Sequence, residues 1–265
     1  MAQRPLAAIR RGLVHALDAV GLAAGARRAA LRLRCRGIPI VEPTIHRRLP
    51  HDAAAFTQGL AWQAGRLYES TGLPDASSLR RLDPASGAVL EQVAVEGVWA
   101  EGIAICGDRL IQLTWRDGQA LVWSLPGLRR IGALPCDGEG WGLAAMPHGL
   151  VRSDGNDRLI HCDGELRTVR NIAVAINGRP LARINDLVFA RGRIVANVLF
   201  ERSLFEIDGD TGAVLRVIDC AGLAALAAPA SPDAMLNGIA WDAGRDRFYV
   251  TGKLWPALFE VSWPP

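Results

Sequence analysis

A carboxyl group, three amides and an indole stand at equivalent points of a repeat that fills most of this chain. Each precedes the glycine or aspartate that marks one copy, and the five residues are Gln58, Glu101, Trp141, Asn185 and Asn237. A carboxyl group can take and deliver protons, and amide N–H groups can donate hydrogen bonds to a developing oxyanion. Glu101 is the only carboxyl of the five, so the pattern singles it out for acid–base chemistry.

The repeat predicts the fold that brings these residues together. Its equivalent positions are Gly59, Gly102, Gly142, Asp186 and Gly238. They are separated by 43, 40, 44 and 52 residues. Copies of this length, made of short strands and turns, are typical of β-propellers. We therefore predict an all-β protein, a five-bladed β-propeller with four-stranded blades that follows a short helical N-terminal extension.

The two ends of the repeat array are predicted to meet. We expect residues 1–40 to form the Arg-rich helical extension and residues 41–265 to form the propeller. The fifth copy lacks a fourth strand, because its third strand, near residues 258–261, is almost the last segment of the sequence. A strand near residues 44–49 can supply the missing one, which would close the ring and cover sheet edges that would otherwise be exposed.

Propeller geometry places the starts of the first strands and the ends of the second strands at one mouth of the central channel. The second strands end at Gly72, Trp115, Gly155, Leu199 and Lys253. A few polar groups between aromatic walls are typical of a pocket for a small molecule or a chain end. Three further tryptophans, Trp62, Trp241 and Trp255, are predicted to pack between strands.

Composition excludes several classes of protein. The net charge is only +3, and much of the positive excess lies near the N-terminus, so nucleic acid is not expected as a partner. The five cysteines are widely spaced without a Cys-x-x-Cys pair, which indicates free thiols. The histidines are scattered, so neither a metal nor another cofactor is expected.

The N-terminal segment does not have the pattern of a membrane span. The apolar run from Leu13 to Ala24 is interrupted by His15 and Asp18, which makes it too short for a transmembrane helix and a poor signal peptide. We expect an amphipathic helix that lies on the propeller or, alternatively, on a membrane surface. We expect a cytoplasmic monomer, with a periplasmic or secreted location as the alternative.

Several motifs, taken together and in order, carry a family resemblance. Phe-Thr-Gln-Gly-Leu, Glu-Gly-Ile-Ala, Glu-Gly-Trp-Gly-Leu and Thr-Gly-Lys-Leu-Trp-Pro resemble those of the plant and bacterial glutaminyl-peptide cyclotransferases, or glutamine cyclotransferases. The resemblance implies a five-bladed propeller that converts an N-terminal glutamine to pyroglutamate and releases ammonia. It also implies that the site lies in the central channel. The matching functional positions are Phe56, Gln58, Glu101, Trp115, Trp141, Asn185 and Lys253.

The chain departs from the family pattern at identifiable positions. Leu199 stands where a tryptophan is expected, and the aromatic residue two positions before the glutamate is Trp99. The family's Asn-Glu-Leu-Glu is Asn185-Asp-Leu-Val here. We predict that Phe56, Gln58, Trp99, Trp115, Trp141 and Leu199 bind the substrate.

The reaction that the resemblance implies needs these residue types. Glu101 would carry a proton from the α-amine to the leaving ammonia, and Asn185 and Lys253 would act with it in catalysis. Gln58, Asn185 or Lys253 could donate to the oxyanion. Two other functional classes are alternatives. A metal-dependent, lactonase-like hydrolase would need a second carboxylate in the channel. A non-catalytic propeller that binds a peptide end is the other, because Leu199 replaces a tryptophan of the pocket wall.

Overall fold

The computed structural model describes residues 22–265, so the part of the expected extension before residue 22 lies outside the described residues. A helix, α1, spans Leu22–Arg34, and five four-stranded antiparallel units follow it around a ring. The prediction of a five-bladed β-propeller with four-stranded blades is confirmed. Neither helix within residues 22–265 has the length and apolar character needed to cross a membrane.

Each blade is a meander whose strands follow one another outward from the centre. Blade 1 comprises β3 Thr57–Gln63, β4 Arg66–Thr71, β5 Ser78–Leu82 and β6 Val89–Ala94. Blade 2 comprises β7 Ala100–Cys106, β8 Arg109–Thr114, β9 Gln119–Ser124 and β10 Arg129–Pro135. Blade 3 comprises β11 Leu143–Met146, β12 Gly149–Arg152, β13 Arg158–Cys162 and β14 Thr168–Ala173.

The remaining two blades also take strands from before the repeat array. Blade 4 comprises β17 Ile184–Ala190, β18 Arg193–Val198, β19 Ser203–Ile207 and β20 Val214–Asp219, with β1 Ile40–Val41 added parallel to β20. Blade 5 comprises β21 Met235–Asp242, β22 Arg247–Lys253 and β23 Ala257–Ser262. Strand β2, Thr44–Pro50, pairs antiparallel with β23 and completes blade 5.

Two small elements were not predicted from the sequence. A two-stranded hairpin, β15 Ala175–Ile176 and β16 Arg179–Pro180, precedes blade 4, and a short helix, α2 Ala221–Ala227, connects blades 4 and 5. The helix buries Leu223 and Ala227 against the core of those two blades. Its alanine- and leucine-rich sequence favours a helix, whereas the repeat pattern has no position for it.

The hydrophobic core is divided among the interfaces between neighbouring blades. One buried cluster lies at each of the five interfaces, so each blade is packed on both faces. Helix α1 contributes Leu31 to the cluster between blades 3 and 4. It is held to blade 4 by ion pairs from Arg27 to Asp219 and from Arg34 to Glu201.

Glycine at the start of the first strands lets those strands approach one another around the channel. A Cβ atom at Gly59 would lie 2.9 Å from the Cα of Gly102, and one at Gly102 would lie 2.6 Å from the carbonyl oxygen of Trp141. The repeat glycines therefore mark a close approach of backbones that a side chain would prevent. Blade 4 has Asp186 at the equivalent place.

Candidate active site

Two of the aligned first-strand residues are joined directly in the channel. The side-chain amide of Gln58 donates a 2.9 Å hydrogen bond from Nε2 to Oε1 of Glu101. Both side chains are buried, and the second carboxyl oxygen of Glu101 has no hydrogen-bond partner among the described residues. Glu101 is thus held by one oxygen and has the other available for a ligand.

The environment of Glu101 favours its protonated form. Burial raises the pKa of Glu101 well above the usual 4.5, the Lys253 ammonium opposes this shift, and the Asp186 and Glu139 carboxylates add to it. A carboxyl group with a raised pKa holds a proton more strongly and is a stronger base once ionised, which suits it to general acid–base catalysis. The geometry therefore provides an acid–base group at the predicted position.

Lys253 lies at the end of the second strand of blade 5, beside Phe56. Its Nζ is 4.7 Å from the centroid of the Phe56 ring, and its side chain is only 5% exposed. Burial lowers the pKa of Lys253, while the Glu101 and Asp186 carboxylates oppose that change. The ammonium has no hydrogen-bond partner among the described residues, so a ligand oxygen could bind to it.

A buried network of charged groups stabilises the junction of blades 5 and 1, where Lys253 and Phe56 lie. His51 faces the carbonyl oxygen of Trp255 at 2.7 Å and Oε1 of Glu69 at 2.9 Å. The backbone N–H of Leu254 donates to the carbonyl oxygen of Ala55 at 2.7 Å. Burial lowers the pKa of His51, but the Glu69 carboxylate outweighs it and the net pKa is raised. The His51 ring therefore links the segment next to Lys253 to Glu69 of blade 1.

Asn185 and Asn237 differ in how their side chains are used. The Asn237 amide donates to the carbonyl oxygens of Thr57 and Gln58 at 2.9 and 3.1 Å, so it holds the backbone of blade 1. Asn185 is also buried, but its Oδ1 has no partner among the described residues, and only its backbone carbonyl is engaged, by Ser153. The Asn185 side chain therefore remains available to a ligand.

Three half-buried tryptophans line the side of the mouth formed by blades 2 and 3. Trp99 and Trp115 make an edge-to-face contact with ring centroids 5.1 Å apart. Trp115 and Trp141 are joined by Glu139, whose Oε2 accepts hydrogen bonds of 2.9 Å from both indole N–H groups. A tryptophan wall with fixed ring orientations results.

Leu199 lies at the end of the second strand of blade 4. It is half-buried, and its backbone N–H donates to the carbonyl oxygen of Arg183 at 2.9 Å. The next residue, Phe200, is 51% exposed, with the Arg183 guanidinium 5.8 Å from its ring centroid. Blade 4 therefore presents a leucine and an exposed phenylalanine where blades 2 and 3 present tryptophans.

Sequence reasoning did not identify two acidic residues in and beside the channel. Asp186 was seen only as a repeat position, yet its Oδ2 accepts the N–H groups of Ile239 and Leu60 at 2.9 and 3.3 Å, from blades 5 and 1. Burial raises the pKa of Asp186 to about 8, against the opposing effect of those N–H groups. Glu139 was seen only as the first residue of the Glu-Gly-Trp-Gly-Leu motif in the third copy, and no role was predicted for it.

The predicted packing tryptophans are packed against other parts of the chain. Trp62 stacks on Tyr249 and Trp241 on Phe248, while Trp255 is fully buried. Across residues 22–265, no group of three or more histidine, cysteine, aspartate or glutamate side chains is arranged to hold a metal ion. The five cysteines are free thiols.

Comparisons with known proteins show what this chain is similar to. A model of the family described as glutamine cyclotransferase matches residues 14–263. A glutaminyl-peptide cyclotransferase of Arabidopsis thaliana is 33% identical over 219 residues, which cover 80% of this chain and 68% of the relative. The crystal structure of Myxococcus xanthus glutaminyl cyclase superposes with a TM-score of 0.81 at 39% identity, covering 84% of this chain and 97% of that one.

Proposed function

The chain belongs to the glutamine cyclotransferase family, and on that premise we propose that it is a glutaminyl-peptide cyclotransferase that acts at Glu101. Its substrates are peptides or proteins with an N-terminal glutamine. The α-amine nitrogen attacks the γ-carboxamide carbon, the bond to the amide nitrogen breaks, and pyroglutamate and ammonia leave. The observation that carries this proposal is the buried Glu101 held by Gln58 in a channel mouth walled by tryptophans.

Glu101 acts as the proton shuttle. In its ionised form it takes a proton from the attacking amine, and it then delivers that proton to the departing nitrogen. Its raised pKa makes its ionised form a stronger base than an ordinary carboxylate, which favours general acid–base catalysis. The hydrogen bond from Gln58 fixes one oxygen and leaves the other for the proton.

Asn185 and Lys253 stabilise the oxyanion that forms on the carboxamide oxygen. Both are buried, and neither uses its side-chain donor within the described part of the chain. One well-placed donor to an oxyanion is worth about 10²–10³ in rate. Gln58 contributes less here, because its amide N–H is already donated to Glu101.

The aromatic side chains bind the glutamine and exclude water. Phe56 lies under the Lys253 ammonium, and in this proposal Trp99, Trp115, Trp141 and Leu199 supply the rest of the pocket wall. Exclusion of water protects the cyclisation from competing hydrolysis of the carboxamide. It also strengthens every charged contact inside the site.

The protein acts as a monomer and without a cofactor. The propeller spans residues 41–265, and the Arg-rich segment before it docks on blade 4 through Arg27 and Arg34. The exposed apolar side chain of Leu33 on α1 is where we propose a weak contact with a membrane surface. The cytoplasm is the proposed compartment.

The test is ammonia release from the purified protein with a Gln-initiated dipeptide. An Asn-initiated dipeptide is the matched control, because the same attack on its shorter side chain would need a four-membered ring. We expect ammonia and pyroglutamyl product only with the glutamine substrate. No ammonia from it, under conditions where the protein is folded, would refute the proposed function.

A further inference from the structure

One carboxylate, Glu139, connects the two tryptophans of the pocket wall. Its Oε2 accepts the indole N–H groups of both Trp115 and Trp141 at 2.9 Å. The two rings come from different blades, since Trp115 follows the second strand of blade 2 and Trp141 precedes the first strand of blade 3. A single oxygen atom thus fixes the relative orientation of the two rings, in addition to the backbone hydrogen bond from the Gly140 N–H to the carbonyl oxygen of Trp115.

The carboxylate is itself held from two sides. Its Oε1 accepts hydrogen bonds from Arg116, whose guanidinium also lies 4.0 Å from the centroid of the Trp115 ring. Buried Arg152 donates to the backbone carbonyls of Asp137 and Glu139 at 2.8 and 3.2 Å. Both the side chain and the loop that carries it are therefore fixed in place.

Trp99 provides an internal contrast. It belongs to the same aromatic wall, but its indole N–H is buried without a partner among the described residues. Of the three indole N–H groups in this wall, Glu139 accepts two, those of Trp115 and Trp141. Its hydrogen bonds are therefore specific to the pair of rings where blades 2 and 3 meet.

We propose that Glu139 is a positioning residue that sets the binding of the N-terminal glutamine by holding the Trp115 and Trp141 rings in one orientation. This inference rests on the proposed function of the site. Glu139 sets binding through the indoles; its charge also adds to the raised pKa of Glu101, an effect that Glu139→Ala and Glu139→Gln remove alike. Without it the rings can rotate about their side-chain bonds, and the pocket loses the preorganised wall that the substrate packs against.

The first test is a comparison of Michaelis constants. Hydrogen bonds to a charged group are worth enough that Glu139→Ala should raise KM about tenfold or more, with kcat changed by less than about threefold. Glu139→Gln should recover part of the loss, because its amide oxygen can still accept an indole N–H. Glu165→Gln is the matched control, since Glu165 is an exposed carboxylate near an arginine on the outer surface, and it should leave KM unchanged.

A double-mutant cycle separates positioning from general destabilisation. In a Trp115→Phe/Trp141→Phe background neither ring has an N–H, so Glu139→Ala should change KM by less than about twofold. The same tenfold increase in that background would overturn the inference, because Glu139 would then act by another route. An unchanged KM in the otherwise wild-type protein would overturn it as well.

A second readout does not depend on catalysis. The protein has eight tryptophans, and their indole N–H groups give separate signals in a ¹H–¹⁵N correlation spectrum. Glu139→Gln should shift the signals of Trp115 and Trp141, assigned from the single Trp→Phe variants, much more than the other six. Absence of these shifts would overturn the inference, whereas an inactive wild-type protein would overturn the proposed function instead.

Discussion

Replacement of Glu101 by glutamine separates its chemical role from its structural one. Glutamine has nearly the same size, and its side-chain oxygen can still accept the 2.9 Å hydrogen bond from Gln58. It cannot carry a proton. General acid–base catalysis contributes about 10²–10⁴ in rate, so Glu101→Gln should lower kcat by at least about a hundredfold while KM changes little.

The same substitution should not destabilise the fold. Since burial raises the pKa of Glu101 in the folded state, its ionised form costs stability at pH values above the ordinary 4.5. Glutamine removes that cost, so the Tm of Glu101→Gln at neutral pH should equal or exceed that of the wild type. The variant should also lower the pKa of Lys253 further, because burial lowers it and Glu101 opposes that effect.

The assay is continuous ammonia release at several dipeptide concentrations, with thermal unfolding measured on the same preparations. Exposed Glu165→Gln again serves as the control and should keep both kcat and Tm. The wild-type rate should fall on the acid side at a pH well above 4.5, as Glu101 becomes protonated. More than about a tenth of the wild-type kcat in Glu101→Gln would refute the proton shuttle.

Three further predictions concern charge and shape. The pKa of Asp186 is raised from 3.8 to about 8 by burial, so stability should fall as pH rises through that window, by on the order of 1 kcal/mol per pH unit; urea unfolding of Asp186→Asn should lack that slope, and an unchanged slope would contradict it. His51 has a raised pKa because Glu69 outweighs burial, so its stabilisation should be complete below about pH 6.5 and lost as pH rises through the folded value; unfolding of His51→Gln should show no such alkaline loss, and its persistence would exclude this assignment. Leu199→Trp should lower KM about two- to tenfold with kcat nearly constant, by adding aromatic area to the rim; equal Michaelis constants would mean that this position does not contact the substrate.

The sequence predicted the residues that occupy equivalent positions of the repeat. It did not predict contacts between residues that meet only in the folded chain. Gln58 and Glu101 could be aligned because each precedes a repeat glycine, and their hydrogen bond follows from neighbouring first strands. Glu139 begins the Glu-Gly-Trp-Gly-Leu motif of the third copy, but its role appears only when two indoles from different blades meet one oxygen. Helix α2 was missed because it interrupts the repeat where the period lengthens to 52 residues.

Asp186 illustrates a different limit of sequence reasoning. Its alignment with four glycines correctly marked a first-strand start, but the alignment did not indicate that its carboxyl would accept N–H groups from Leu60 and Ile239. Spacing along the chain gives the blade and the strand. Spacing does not show which side chain extends across the channel, because this depends on the space that glycines of other blades leave by having no side chain.

The closure of blade 5 by strand β2 sets an order of events during synthesis. His46 and Ser262, whose side chains hydrogen-bond across that closure, are 216 residues apart, so four blades can pair locally before the ring joins. Contacts between such distant segments form slowly, because the intervening chain must lose its freedom first. Phe56 and Lys253 meet at the same junction. A nascent chain on the ribosome therefore has no complete pocket, and its first turnover must wait until the last blade has been released from the exit tunnel and has docked.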